Sequence, residues 1–145
     1  MRKNGYFILV TVTALLFGII MLFSKKPVKE IPSFRERTGS FALSGEWLNT
    51  KKVIEGLLSA LKLNSDDNKS KLKLAQAYIE EARVTGNHAY YDNASLELLD
   101  DVIKAEPSNF DALCCKSTVL LSQHHFSDAL TIAQKALPLN PNSAY

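Results

Sequence analysis

The histidines are the residues of this sequence with the greatest capacity for chemistry. His124 and His125 are adjacent, and His88 lies in a polar stretch beside Tyr90. Three imidazoles with a carboxylate such as Glu81 would suit a tetrahedral zinc ion. Their spacing matches no zinc signature, however, and adjacent histidines in a polar turn are usually solvated. We therefore favour the solvated turn over the zinc site and predict no metal and no other cofactor.

The cysteines and the paired carboxylates predict structure rather than catalysis. Cys114 and Cys115 are neighbours that cannot close a loop, so we interpret them as small apolar residues of a helix. The acidic pairs at positions 80–81 and 100–101 point about 100° apart on a helix, as solvated faces do. The sequence also lacks a Gly-rich phosphate loop, a G-x-S-x-G elbow and a C-x-x-C motif. We predict that the chain is not an enzyme and has no small-molecule substrate.

An apolar stretch near the N-terminus predicts a membrane anchor. From Tyr6 to Phe23 the sequence runs YFILVTVTALLFGIIMLF, without a charged residue. At about 1.5 Å per residue, such a helix nearly crosses a hydrocarbon core of about 30 Å. The stretch exceeds the roughly 7–15 apolar residues of a signal peptide and lacks an A-x-A-like cleavage site. We predict a retained single-pass anchor at residues 1–24, with residues 6–23 in the membrane.

The charge distribution separates the two parts of the chain. Residues 1–43 carry seven basic and two acidic side chains, whereas residues 44–145 carry ten basic and thirteen acidic ones. A mildly acidic folded part does not favour nucleic acid, so we exclude that class of partner. The numbers of basic residues on the two sides of the anchor are almost equal, but an anchor with a short N-terminal tail is most simply inserted with that tail in the cytoplasm. We therefore expect the folded part to be extracytoplasmic, and periplasmic if the source is bacterial, although unpaired cysteines oppose this orientation.

The segment at residues 25–43 is polar and contains Pro27 and Pro32. Such a composition is typical of a tether between an anchor and a folded domain. We therefore predict a juxtamembrane spacer that buries little surface. The folded domain then begins at residue 44.

An internal repeat is visible in the second half of the chain. Pro107 and Pro141 stand 34 residues apart. The segments that precede them match at these pairs of positions: Ser95/Ala129, Leu96/Leu130, Leu98/Ile132, Leu99/Ala133, Val102/Ala136 and Ile103/Leu137. A shift of 42 residues aligns residues 53–61 with residues 95–103 in the same way. We place the excess of eight residues in an inserted loop at residues 83–90, where Gly86-Asn87 signals a turn.

These motifs resemble the tetratricopeptide (TPR) repeat over residues 51–143. Leu74-Ala75-x-x-Tyr78 resembles its first helix, and the small residues of its second helix recur as in Ala129-x-x-x-Ala133-x-x-Ala136 followed by Pro141. The sequence departs from the pattern at Lys116 and Ala133. The resemblance implies an all-α antiparallel helix-pair solenoid at residues 44–145. It would hold a partial repeat (51–67), a repeat with the inserted loop (68–109) and a further repeat (110–143).

Local signals predict five helices, near residues 47–63, 68–84, 92–105, 109–122 and 127–138. We expect N-terminal caps at Asp67 or Asn68, at Ser108-x-x-Asp111 and at Ser127. The first helix lacks a partner, so Trp47, with Phe41 nearby, is expected to cover its open side. The last helix pair has no polar cap, and we expect the chain to be a fragment of a longer protein.

The resemblance implies a concave face that binds a peptide or helix segment of another protein. Two aligned stripes would line it, namely Leu72, Gln76 and Ile79 on the second helix and Cys114, Thr118 and Leu121 on the fourth. A charged residue lies at each margin, Lys69 on the second helix and Asp111 on the fourth. The alternative is that Ile79 and Leu121 only pack against neighbouring helices.

The predicted function is a membrane-anchored TPR scaffold for protein–protein interaction, in the assembly of an envelope or membrane complex. Two alternatives stay open. One is an assembly factor of the cytochrome c maturation type, and the other is the non-catalytic N-terminal part of a larger enzyme or metal-binding protein.

Overall fold

The computed structural model describes residues 12, 30–39, 42 and 45–143, and it confirms an all-α fold. The helices are α1 (Gly45–Leu63), α2 (Asn68–Thr85), α3 (His88–Ala105), α4 (Phe110–Ser122) and α5 (Phe126–Ala136), followed by a 3-10 turn (Leu137–Leu139). The chain divides into two compact units, Met1–Glu30 and Ile31–Tyr145. Apart from Val12, the predicted anchor lies outside the described residues. Within the described part of the chain, no helix is long and apolar enough to span a membrane.

Successive helices pack against each other, and α2–α3 and α4–α5 are the most extensive pairs. The α2–α3 pair is antiparallel, because the start of α2 meets the end of α3. Asn68 Nδ2 donates to Glu106 Oε1 at 2.8 Å, and in mid-helix Ser95 Oγ donates to Ala75 O at 3.2 Å. The helix α2 also contacts α4. The first helices of the two pairs, which we call the first-in-pair helices, therefore lie side by side.

Small residues occupy the close contacts within both helix pairs. Ser95 of α3 donates to the Ala75 carbonyl of α2, and Ser117 of α4 donates to the Ala129 carbonyl of α5 at 3.1 Å. The sequence alignment makes Ala75 equivalent to Ser117 and Ser95 equivalent to Ala129. The same serine–carbonyl contact therefore recurs in both pairs with the donor on the opposite helix.

The N-terminal caps of α2 and α4 differ in how well the sequence predicts them. The Asp67 side chain accepts from Ser70 N at 3.1 Å, which confirms this cap, and the hydrogen bonds from Ser70 lower the pKa of the carboxyl. The capping box beginning at Ser108 was wrong, because Asn109 is the cap and its Oδ1 accepts from Ala112 N at 3.0 Å. Asn109 directly precedes the first helical residue, so its side chain reaches the free N–H groups of the first turn, whereas Ser108 lies one residue further from them.

The structure corrects the predicted inserted loop at residues 83–90. The helix α2 continues to Thr85 and α3 begins at His88, which leaves only Gly86-Asn87 between them. Gly86 ends α2 with φ of 70° and donates its N–H to Ala82 O at 2.9 Å. The eight excess residues therefore lengthen the two helices, by about one turn each, instead of forming a loop.

The structure also corrects the predicted spacer at residues 25–43. The boundary between the two units lies after Glu30, and residues 31–39 belong to the helical unit. Ile31 and Phe34 pack against the hydrophobic core, and Arg37 is only 7% exposed. We call residues 31–37 the docked segment.

The core confirms the interpretation of Trp47, which is 2% exposed. Its ring centroid lies 5.2 Å from that of Phe34, and the Arg37 guanidinium lies over the indole at 4.6 Å. Phe41, the other expected neighbour, lies outside the described residues. At the opposite end, α5 and the 3-10 turn leave large apolar side chains exposed, among them Leu130 and Leu137.

Candidate functional site

A groove of about 340 Å³ separates α2 from α4. Its lining comes from successive turns of both helices: Gln76, Ala77, Ile79, Glu80, Arg83, Cys115 and Thr118. Residues three or four apart on a helix share one face, so the exposed edges of two turns of each helix border the groove. The two helices that border the groove are the ones that the sequence predicts to line a concave face.

Three of the predicted groove residues line this groove, namely Gln76, Ile79 and Thr118. On α4 the cysteine in the groove is Cys115 and not the predicted Cys114. Gln76 Nε2 donates a long contact of 3.8 Å to Cys115 Sγ, across the groove. Adjacent positions on a helix differ by about 100°, so Cys114 and Cys115 point in different directions from α4.

The remaining predicted residues do not line the groove. Lys69 and Asp111 are exposed in the first turns of α2 and α4. Leu72 is half-buried and packs against the core, whereas Leu121 is 50% exposed. The alternative of simple helix packing fits Ile79, which is 9% exposed and belongs to the core cluster, but it does not fit Leu121.

The groove is lined by a thiol, an amide and an ion pair. Burial raises the pKa of Cys115, which keeps its thiol neutral at physiological pH. Gln76 offers an amide that both donates and accepts hydrogen bonds. Glu80 and Arg83 form an exposed ion pair of 3.1 Å at the rim. The groove therefore combines an apolar floor with a polar rim that carries one positive and one negative charge.

The histidines do not converge on Glu81. His88 Nδ1 lies 3.3 Å from Asp92 Oδ2, whereas His124 forms the turn after α4 with φ of 60°. Both oxygens of Glu81 accept hydrogen bonds from Arg37 instead. Among the residues that the structure describes, no group of three or more His, Cys, Asp or Glu side chains could hold a metal ion.

A second site, which the sequence did not predict, holds the docked segment. Its residues come from three helices, and we call them the tyrosine site: Trp47, Tyr78, Glu81, Tyr90 and Tyr91. Three hydroxyls donate to main-chain carbonyls of the docked segment: Tyr78 to Pro32 (2.7 Å), Tyr91 to Arg35 (3.0 Å) and Tyr90 to Ser33. The Arg35 guanidinium lies 3.6 Å above the ring of Tyr90.

Arg37 is the charged centre of this site. Its Nε donates to Glu81 Oε2 at 3.0 Å, and its Nη2 donates to Glu81 Oε1 at 2.6 Å. A third contact joins Arg37 Nη1 to Glu46 Oε2 at 2.9 Å. The hydrogen bond with Glu81 raises the pKa of Arg37 above its ordinary value. The expected solvated face is wrong for Glu81, which is 0% exposed because Arg37 and the docked segment cover it.

One feature of the sequence could have indicated this site. Glu81 follows Leu74 and Tyr78 at offsets of seven and three, which places a carboxylate on the apolar stripe of α2. A carboxylate on such a stripe requires a buried partner. The partner, Arg37, lies 44 residues earlier in the chain, so helical periodicity could not identify it.

Comparisons with known proteins do not assign this chain to a family. Neither a protein-family model nor a curated protein matches its sequence. The groove and the tyrosine site are therefore the features of this chain that bear on its function.

Proposed function

We propose that this protein is a membrane-anchored helical scaffold of TPR type that binds a segment of another protein in the groove between α2 and α4. Residues 6–23 anchor it in this proposal, and the helical domain lies on the extracytoplasmic side. The observation that carries the proposal is the groove, in which side chains from two first-in-pair helices meet.

The shape and lining of the groove favour a peptide segment over a small molecule. Its volume of about 340 Å³ is near the lower limit for small-molecule pockets, which are typically about 300–1,000 Å³ and largely enclose their ligand. The groove is instead open between two helices. Ile79 and Cys115 supply apolar contact, and the Gln76 amide can pair with a main-chain amide of an incoming segment.

The recurrence of helix-pair contacts supports the repeat part of the proposal. Ser95 with Ala75, and Ser117 with Ala129, are equivalent contacts in two successive pairs. Stacked pairs of this kind place their first helices side by side, and a continuous binding face follows from that stacking.

A photo-crosslinking amino acid at Gln76 tests the binding function in the full-length protein. We expect it to form a discrete adduct with a partner protein in cells. The matched control carries the same amino acid at Lys104, which is exposed on α3 and does not line the groove. Identical adducts from both positions, or none from Gln76 in a helical protein, would contradict the proposal.

A second variant distinguishes specific binding in the groove from nonspecific binding elsewhere on the protein. The double change Gln76→Ala with Thr118→Ala should reduce partner recovery in a pull-down from membrane extract, with the helical circular dichroism signal unchanged. Undiminished recovery would move the partner to another surface.

The anchor and its orientation are tested independently of the groove. The full-length protein should stay in the membrane fraction after carbonate extraction. A Ser40→Cys variant, with Cys114 and Cys115 changed to serine, should react with an impermeant thiol reagent in intact cells. Recovery of a soluble chain that begins near residues 24–29 would show that residues 6–23 are a cleaved signal.

A further inference from the structure

The tyrosine site binds the docked segment through groups that every peptide has. Its three hydroxyls donate to carbonyl oxygens of the main chain, so these contacts do not depend on side-chain identity. Pro32 restricts Ile31 to extended conformations, and residues 31–37 form neither helix nor strand. The geometry is therefore that of a peptide lying across a preformed surface of helices.

Beyond the packing of Ile31 and the contact of Arg35 with Tyr90, two further side chains of the docked segment add specificity. Phe34 packs on Trp47, and Arg37 forms a two-point contact with the buried Glu81 carboxylate. The planar guanidinium matches the carboxylate in a way that a lysine ammonium does not. The recognised pattern is therefore Phe-x-x-Arg, in which the arginine is the charged residue that binding requires.

The docked segment is not part of any of the helices α1 to α5. The helices pack against each other directly, and the rings of Tyr78 and Tyr91 are in contact at 5.4 Å. Release would return the Glu81 and Arg37 charges to water, and this hydration offsets much of the lost ion-pair energy. The side chains of Ser33, Arg35 and Glu36 are already exposed.

We infer that the tyrosine site is a recognition site for an arginine-bearing peptide segment, that residues 31–37 occupy it as an intramolecular ligand, and that a Phe-x-x-Arg segment of another protein can replace them. This site is separate from the groove between α2 and α4, and the inference does not depend on that groove. A tethered ligand has an effective concentration in the millimolar range, so the docked segment excludes weak competitors.

The test uses the full-length protein in detergent with a labelled peptide of residues 30–39. The acceptor variant carries Phe34→Ala and Arg37→Ala, which weaken the docked segment and leave the tyrosine site intact. Fluorescence anisotropy should show saturable binding to the acceptor, and binding at least tenfold weaker to the wild type. A peptide with lysine in place of Arg37, or an acceptor that also carries Glu81→Gln, should lose at least tenfold in affinity.

A helical acceptor that does not bind the peptide, or that binds the arginine and lysine peptides equally, would overturn the inference. If the acceptor does not fold, a second form of the protein decides the question. A protease site inserted after Gly39 of the wild type allows the docked segment to be cut from the helices. The cut segment should then exchange with labelled peptide, and absence of exchange would overturn the inference.

Discussion

The buried ion pair between Arg37 and Glu81 offers the sharpest stability test of this structure. Arg37 is 7% exposed and Glu81 is 0% exposed, and Glu81 takes its counter-charge from Arg37, which also contacts Glu46. Arg37→Met keeps most of the side-chain stem and removes the guanidinium. While the docked segment stays in place, the Glu81 carboxylate is then buried without its partner, which costs about 3–5 kcal/mol.

The structure predicts unequal costs for the two single changes. Glu81→Gln leaves Arg37 with Glu46, whose side chain is 63% exposed and can follow the guanidinium. Its cost should therefore be smaller than that of Arg37→Met. In the double variant Arg37→Met with Glu81→Leu neither charge is buried, and apolar replacement of a buried pair is often neutral or stabilising. We expect the double variant to be more stable than Arg37→Met, with a coupling energy of about 2 kcal/mol or more.

Urea unfolding of the full-length protein in detergent measures these energies. The single tryptophan, Trp47, lies beside Phe34 and Arg37 and reports on the docked segment, while far-UV circular dichroism reports on the helices. Coincident transitions would justify a two-state treatment. In thermal unfolding, the melting temperature of the Arg37→Met variant should also lie below that of the wild type by on the order of 10 °C. Changes below about 0.5 kcal/mol in both single variants are typical of surface sites and would refute the buried pair.

Three further perturbations test the packing of the helices. Burial raises the pKa of Tyr78 above the value of about 10 in an unfolded chain, so the free energy of unfolding should fall as the pH rises beyond about 10. Tyr78→Phe should cost about 1 kcal/mol at neutral pH and flatten that alkaline fall in denaturant titrations. Ala129→Leu should cost about 1–3 kcal/mol because this residue is 1% exposed, whereas Ala133→Leu on the exposed side of the same helix should change stability little. Gly86→Ala should cost about 1 kcal/mol because φ at this position is +70°. Gly56→Ala should instead stabilise by about 0.5–1 kcal/mol, because Gly56 lies within α1 and nothing beyond the backbone of α1 itself lies within 4 Å of the added Cβ. Equal effects of the two changes in thermal unfolding would contradict this difference between the two glycines.

Helical periodicity was sufficient to predict where most helices lie. The predicted range 109–122 differs by one residue from α4, and 47–63 differs by two from α1. These helices bury one apolar stripe against their neighbours, which is the pattern that periodicity detects. The start of α3 was predicted at 92 but lies at His88, because Tyr90 and Tyr91 bind a segment outside the helix pairs.

Three of the eight predicted groove residues, Gln76, Ile79 and Thr118, line the groove between α2 and α4, and Cys115 lines it in place of Cys114. An alignment of repeats identifies equivalent positions, and it contains no measure of how far a helix turns about its axis. An error of one position corresponds to about 100°, which is the difference between Cys114 and Cys115. The long-range contact of Arg37 with Glu81 was beyond any periodic signal, since it joins an irregular segment to a helix 44 residues later.

The eight excess residues of the repeat and the docked segment have a common explanation. The excess lengthens α2 and α3, and the added turn of α3 contributes Tyr90 and Tyr91 to the site that binds residues 31–37. The helix α1 has no preceding partner helix among the described residues, and Phe34 with Arg37 covers its Trp47 instead. An irregular segment can fill this place only if its main-chain carbonyls and its buried charge are satisfied. The lengthened helices supply those partners, and the sequence therefore departs from the predicted repeat spacing where the docked segment binds.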